Sequence, residues 1–156
     1  MVNNTILNKA YFYLKFRPRT IAETRRYLLE KSELYHWAPS EIKEALQYLL
    51  EEKYLDDAAF VAWFVESRQR TKPKSVKVLQ KELKRYGADT EAVGQYFLSH
   101  ESDEWAAASK ALVSRWSRYR PLSPPDRFKK AASFLSRRGF SYDVIKKTIA
   151  QMEETG

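Results

Sequence analysis

The chain has 156 residues and a formal net charge of +8, enough for one ordinary domain or for a string of small modules sharing a core. Its 44% hydrophobic content excludes wholesale disorder, and four glycines are too few for the many tight turns of an all-β protein, so helix is expected. There is no cysteine, which excludes disulfides and thiol catalysis, and the two histidines, His36 and His100, are too few for a usual zinc site. The N-terminus lacks a basic segment followed by an apolar core, and no apolar run could span a bilayer, so a cytoplasmic protein is expected.

The first apolar-periodic stretch runs from Ile6 to Phe16. It is followed by "RPRTIAETRRYLLEK", in which Thr20 and Glu23 form a reciprocal capping box and Pro18 suits the incoming loop. Arg17 and Arg19 are not needed for that helix start. They add charge at a loop, where binding residues tend to lie. The helix is expected to stop near Ser32, and Ser40 to cap the next one, "EIKEALQYLLEE". Asp56-Asp57 reads as an acidic cap and first turn for a helix from Ala58 to Val65 rather than as a catalytic carboxylate pair. After Pro73 a helix from Val76 stops at Gly87, and Asp89 or Thr90 opens another. Trp105 to Trp116 is again periodic. After Pro125 a helix from Phe128 stops at Gly139, and Ser141 opens the last one.

Comparison of the chain with itself shows three copies of one unit. Ile21, Thr24 and Leu28 match Val76, Leu79 and Leu83, and these match Phe128, Ala131 and Leu135, offsets that fall on one helical face. A period of roughly fifty residues without strand signals predicts an all-α fold. The expected form is three tandem three-helix repeats in an elongated, curved array, with repeats at 1–55, 56–102 and 103–156. A single compact all-α domain is the alternative.

Charge is segregated along the chain. From Ser67 to Tyr86 eight basic residues are opposed only by Glu82, and from Ala106 to Tyr142 basic residues are opposed only by Asp126. Such segregation points to a positive face for a polyanion or an acidic partner. With Val76, Leu79 and Leu83 inward, Lys77, Lys81 and Lys84 fall on the wet face of their helix. The equivalent positions are Ala22, Arg26 and Leu29 in the first copy, and Lys129, Ser133 and Ser136 in the third. Most aromatics, among them Tyr11, Phe12, Tyr13, Trp63, Phe64, Tyr96, Phe97, Trp105 and Trp116, have core spacing. Tyr119 is read as part of a basic, proline-bounded loop, where contact with nucleic acid and simple solvation both stay open. The four glycines, the last of them Gly156, are isolated, so no phosphate-cradling loop exists and neither an enzyme nor a cofactor is expected.

"RPRT" with Glu23, "YLDDAAF" with Arg68, "LKRYG" and "LSRRGFSYDVI" occur in order and with spacing that resembles the RecX family, regulators of bacterial RecA recombinase. The resemblance spans nearly the whole chain. It implies tandem three-helix repeats and a non-catalytic monomer that binds in the groove of the RecA–DNA filament. It also implies restraint of recombinase activity, within homologous recombination, DNA repair and the SOS response. The family commonly has glycine where this chain has Lys53, and again in the loop that here reads "TKPKS". The expected partners are the RecA filament and single- or double-stranded DNA. The expected binding residues are Arg17, Arg19, Arg25, Arg26, Arg68, Arg70, Lys72, Lys74, Lys77, Lys81, Lys84, Arg85, Lys130, Arg137 and Arg138. A free-standing DNA-binding protein with a helix-turn-helix-like unit is the alternative. Its most basic helix, however, carries lysines, which position on phosphate, and few side chains suited to base reading.

Overall fold

The computed structural model of the chain describes residues 1–100 and 103–155. The expected boundary at 102/103 and the isolated Gly156 thus involve residues outside the described ones. Among the described residues the chain forms nine α-helices and no strand. These are α1 (Asn4–Leu14), α2 (Ile21–Tyr35), α3 (Pro39–Glu51), α4 (Asp57–Thr71), α5 (Val76–Arg85), α6 (Thr90–Ser99), α7 (Glu104–Tyr119), α8 (Pro124–Arg137) and α9 (Tyr142–Thr155). They follow one another as three groups of three, as the internal repetition requires.

Local chemistry sets most boundaries. The Asn3 side chain accepts from the amides of Thr5 and Ile6 at the start of α1. The capping box of α2 is complete: Glu23 N–H donates to Thr20 Oγ1 and Thr20 N–H to Glu23 Oε1, each at 3.0 Å. Asp89 accepts from Ala92 N–H at 3.0 Å and opens α6. Gly87 and Gly139 take the left-handed conformation expected of them, with φ of 75° and 92°.

Three boundaries differ from expectation. The helix α2 does not stop at Ser32, because nothing in "EKSELY" breaks it; it ends at left-handed His36 (φ 57°), and the Ser32 hydroxyl donates to the Trp37 carbonyl at 3.0 Å. Ser40 is inside α3, which starts at Pro39, a residue with no N–H to satisfy in the first turn. Pro124 and Pro125 open α8 from within for the same reason. Phe128 therefore lies a full turn into that helix and is 36% exposed, while Ala131 and Leu135 are buried as expected.

The described residues pack as two compact units. The first comprises Met1–Phe64 with Leu83–Ser99; the second comprises Val65–Glu82 with the chain from His100 onward. In the first unit Ile6, Ala10, Leu28 and Leu49 are fully buried where α1, α2 and α3 meet. Elsewhere in the same unit Phe60 and Phe64 of α4 pack against the Tyr86 ring, with centroids 6.0 and 5.4 Å away. In the second unit Leu112 and Trp116 of α7 meet Phe134 and Leu135 of α8 and Ile149 of α9. Each fully buried leucine, such as Leu28, Leu83 or Leu135, contributes about 1.5–3 kcal/mol relative to exposure.

Phe12 and Tyr119 lie elsewhere than expected. Phe12 is 57% exposed, because α1 turns Ile6, Leu7 and Ala10 inward; its ring meets Phe16 edge-on, 5.2 Å between centroids. Tyr119 is not in a loop. It is the last residue of α7, which no residue breaks before Pro121, and it packs half-buried against the second unit's core.

Candidate functional site

Both "RPRT" arginines are engaged within the fold, Arg17 at the start of α2 and Arg19 on α1. Arg17 bonds the Glu23 carboxylate, with Nη1–Oε1 at 3.2 Å, and its guanidinium lies 5.3 Å from the Tyr86 ring centroid. Burial works against the Arg17 charge, but the bonds to Glu23 outweigh it and raise its pKa. Arg19 lies over the Tyr13 ring at 4.0 Å and donates to the Tyr13 carbonyl. The Thr20 hydroxyl donates to the Tyr86 carbonyl at 2.7 Å, so the loop is tied to the end of α5 within the first unit. On α2, Arg25 and Arg26 are exposed; Arg25 borders an apolar concavity lined by Ile21, Leu29, Ile42 and Leu46, with Lys43 on its rim.

Among the eight basic residues between Ser67 and Tyr86, two are paired with the one acid in that stretch. Glu82 accepts from Arg68 Nε at 3.1 Å and also pairs with Lys74. Burial raises the Glu82 carboxyl, but the bonds and charges of Lys74 and Arg68 more than offset this and hold it below its ordinary value of 4.5. Arg70, Lys72, Lys77, Lys81, Lys84 and Arg85 are exposed, and Lys77, Lys81 and Lys84 carry the wet face of α5 as the helical spacing requires. Sequence order hid one neighbour: Lys77 lines a shallow concavity together with Glu104 of α7.

In the third group Lys130 is exposed, and Arg137 is exposed while donating to Ser133 Oγ at 2.8 Å. Arg138 is half-buried, donates to the Pro73 carbonyl at 3.0 Å and lies 4.7 Å from the Phe134 centroid. Arg115 of α7, which sequence reasoning missed, lies over the same ring at 5.1 Å. Only the packing of α7 on α8 brings it there, and no local pattern signals it. Burial, and then the charges of Arg115 and Arg137, push the Arg138 pKa below its usual value.

The paired aspartates divide their work. Asp56 caps α4, accepting from Ala59 N–H at 3.2 Å. Asp57 reaches further: buried, it accepts from Ile21 N–H at 3.0 Å through one oxygen and from Asp89 N–H at 2.8 Å through the other. Glu104, in the first turn of α7, likewise accepts from Val76 N–H at the start of α5, at 2.9 Å. These carboxylates are consumed in holding helix ends. Among the described residues no three His, Cys, Asp or Glu side chains are grouped to hold a metal ion, and no helix is long and apolar enough to cross a membrane.

The three-helix grouping of the last helices, α7 to α9, has a counterpart among known proteins. Residues 101–149 match the family model of the RecX third three-helix domain. The chain is 35% identical over 148 residues to the regulatory protein RecX of Bacillus licheniformis, a match covering 94% of this chain and 54% of that protein. It is 30% identical over 115 residues to the regulatory protein RecX of Chlorobium limicola, covering 74% of this chain and 71% of that one. The crystal structure of RecX from Lactobacillus salivarius has the same fold, with a TM-score of 0.77, 21% identity and 96% of each chain covered. The chain spans about half the length of the Bacillus relatives it matches. On this similarity, and on the three-helix groups that accompany it, the chain belongs to the RecX family of regulatory proteins.

Proposed function

We propose that this protein is a non-catalytic regulator of the RecA recombinase. It binds in the groove of the RecA–DNA filament as a cytoplasmic monomer and restrains ATP hydrolysis and strand exchange during recombinational repair and the SOS response. Membership of a family whose relatives are named regulatory proteins carries this reading. The exposed cations Lys77, Lys81 and Lys84 supply the face that meets DNA phosphates in the groove, with Arg70, Lys72 and Arg85 beside them in sequence. Arg25, Arg26, Lys130 and Arg137, all exposed, are proposed as further phosphate contacts. Arg17, Arg19, Arg68 and Lys74 serve chiefly to hold the loops from which that surface is built, since each is engaged within the fold. The repeats are proposed to run 1–55, 56–102 and 103–156.

The test is a pull-down with the host RecA, as filament and as free protein, combined with measurement of its ATPase rate. Retention on filaments together with a slowed ATPase is the expected result. Equal binding to naked DNA without any effect on ATP hydrolysis would instead identify a free-standing DNA-binding protein.

A further inference from the structure

Arginines in this structure are held in two different ways. Arg17, Arg68 and Arg127 are each bonded to a glutamate, at Glu23, Glu82 and Glu153, so their charge is spent within the fold. Arg115, Arg137 and Arg138 take part in none of the ion pairs among the described residues. They are nevertheless fixed, and by neutral groups. Arg138 is held by the Pro73 carbonyl and the Phe134 ring, Arg115 by the same ring, and Arg137 by the Ser133 hydroxyl. Phe134 itself is buried, with 3% exposure, so both guanidiniums rest on a ring that is packed into the core.

Three positive groups gathered without a counter-charge repel one another. The depressed pKa of Arg138, pushed down by burial and then by Arg115 and Arg137, records that repulsion. Guanidinium forks match the oxygens of phosphate, and forks already ordered lose less freedom when they bind. We propose that Arg115, Arg137 and Arg138 form a phosphate-binding site built around Phe134. Its ligand is a phosphate group, taken either from a nucleic-acid backbone or as the free ion. The nucleic-acid source rests on the function proposed above; the site itself does not.

The experiment uses the whole chain and two variants, Arg115→Gln and Arg137→Gln, which leave the Arg138 tether to Pro73 in place. Thermal melting is compared in sodium phosphate and in sodium chloride of equal ionic strength. With a site of about 5 mM affinity, about 20 mM phosphate raises the Tm of the parent by about 2–4 °C, and each variant loses most of that rise. If a glutamine variant melts early in chloride, Arg115→Lys keeps a cation over Phe134 and is expected to show a reduced phosphate response with its fold intact. Titration of a duplex oligonucleotide across salt concentrations then separates the sources. A log–log slope flattened by about one unit in each variant assigns the phosphate to nucleic acid. An unchanged slope with a lost phosphate response assigns it to the free ion. Equal melting of the parent in phosphate and chloride, with variants that bind duplex as the parent does, overturns the site. A parent that responds to phosphate but binds neither duplex nor recombinase filament overturns the regulatory reading and leaves the site standing.

Discussion

Gly139 follows α8 at a φ of 92°, a conformation that costs a side-chain-bearing residue about 1–2 kcal/mol. An added Cβ would also stand 2.2 Å from Val78 Cγ2 and 2.4 Å from Ser75 Oγ, well inside the 3.5–4.0 Å or so of an ordinary contact. Neither neighbour can easily retreat. The Ser75 hydroxyl accepts from Val78 N–H at 3.2 Å to cap α5, and Ser75 N–H donates to the Arg138 carbonyl at 3.1 Å. Overpacking of this kind costs about 1–3 kcal/mol, so Gly139→Ala is expected to destabilise by about 2–5 kcal/mol in all. Gly94 makes the opposite case. It lies inside α6 with nothing within 4 Å of an added Cβ, so Gly94→Ala is expected to stabilise by about 1 kcal/mol. Urea unfolding followed by circular dichroism measures both, provided the m-value is unchanged. A Gly139→Ala protein within about 0.5 kcal/mol of its parent would refute the steric reasoning.

Lys53 has a φ of 66°, so Lys53→Gly should remove left-handed strain and raise stability by up to about 1 kcal/mol in the same unfolding assay. Because the Glu82 carboxyl is held below its ordinary value, its contribution is present above about pH 4.5 and is lost as pH falls through the depressed pKa. Glu82→Gln should therefore lower stability at pH 7 and flatten the decline on acidification, as read from urea midpoints across pH. Reversal of Lys77, Lys81 and Lys84 to glutamate should weaken DNA or filament binding steeply at low salt and flatten its salt dependence by roughly one log–log unit per lost contact. The fold should survive that reversal, whereas Leu83→Ala, at a fully buried position, should cost about 2–5 kcal/mol. A triple variant whose affinity and salt slope both match the parent would exclude this face.

What could be read in advance was local. The Thr20–Glu23 box, the buried series Leu28, Leu83 and Leu135, and the left-handed glycines depend on residues a few positions apart. Even the glycine that the resemblance leads one to expect at position 53 acquires a physical reason in the φ of Lys53. Boundaries at Ser32, Ser40 and Pro125 were misplaced because helix runs on wherever nothing stops it, and proline tolerates the first turn. Partnerships across the fold left no mark in the pattern. Nothing local says that Glu82 pairs with both Arg68 and Lys74, that Arg17 is spent on Glu23 and Tyr86, or that Arg115 joins Arg138 over Phe134.

The carboxylates of Asp57 and Glu104 also impose an order in time. The first amide of α2 has no side-chain partner until Asp57, thirty-six residues later in the chain, has left the ribosome, and the first amide of α5 waits twenty-eight residues for Glu104. At ordinary rates of synthesis the first delay is about 2–7 s, long compared with helix formation. Each of these helices thus emerges provisional, closed by its own side chains at best, and is locked only from downstream. A nascent chain stalled before Asp57 carries three helices whose middle member lacks its final anchor, and is more open to proteases than the finished one. Pro124 and Pro125 free α8 from this dependence, because its first two positions have no N–H to hold.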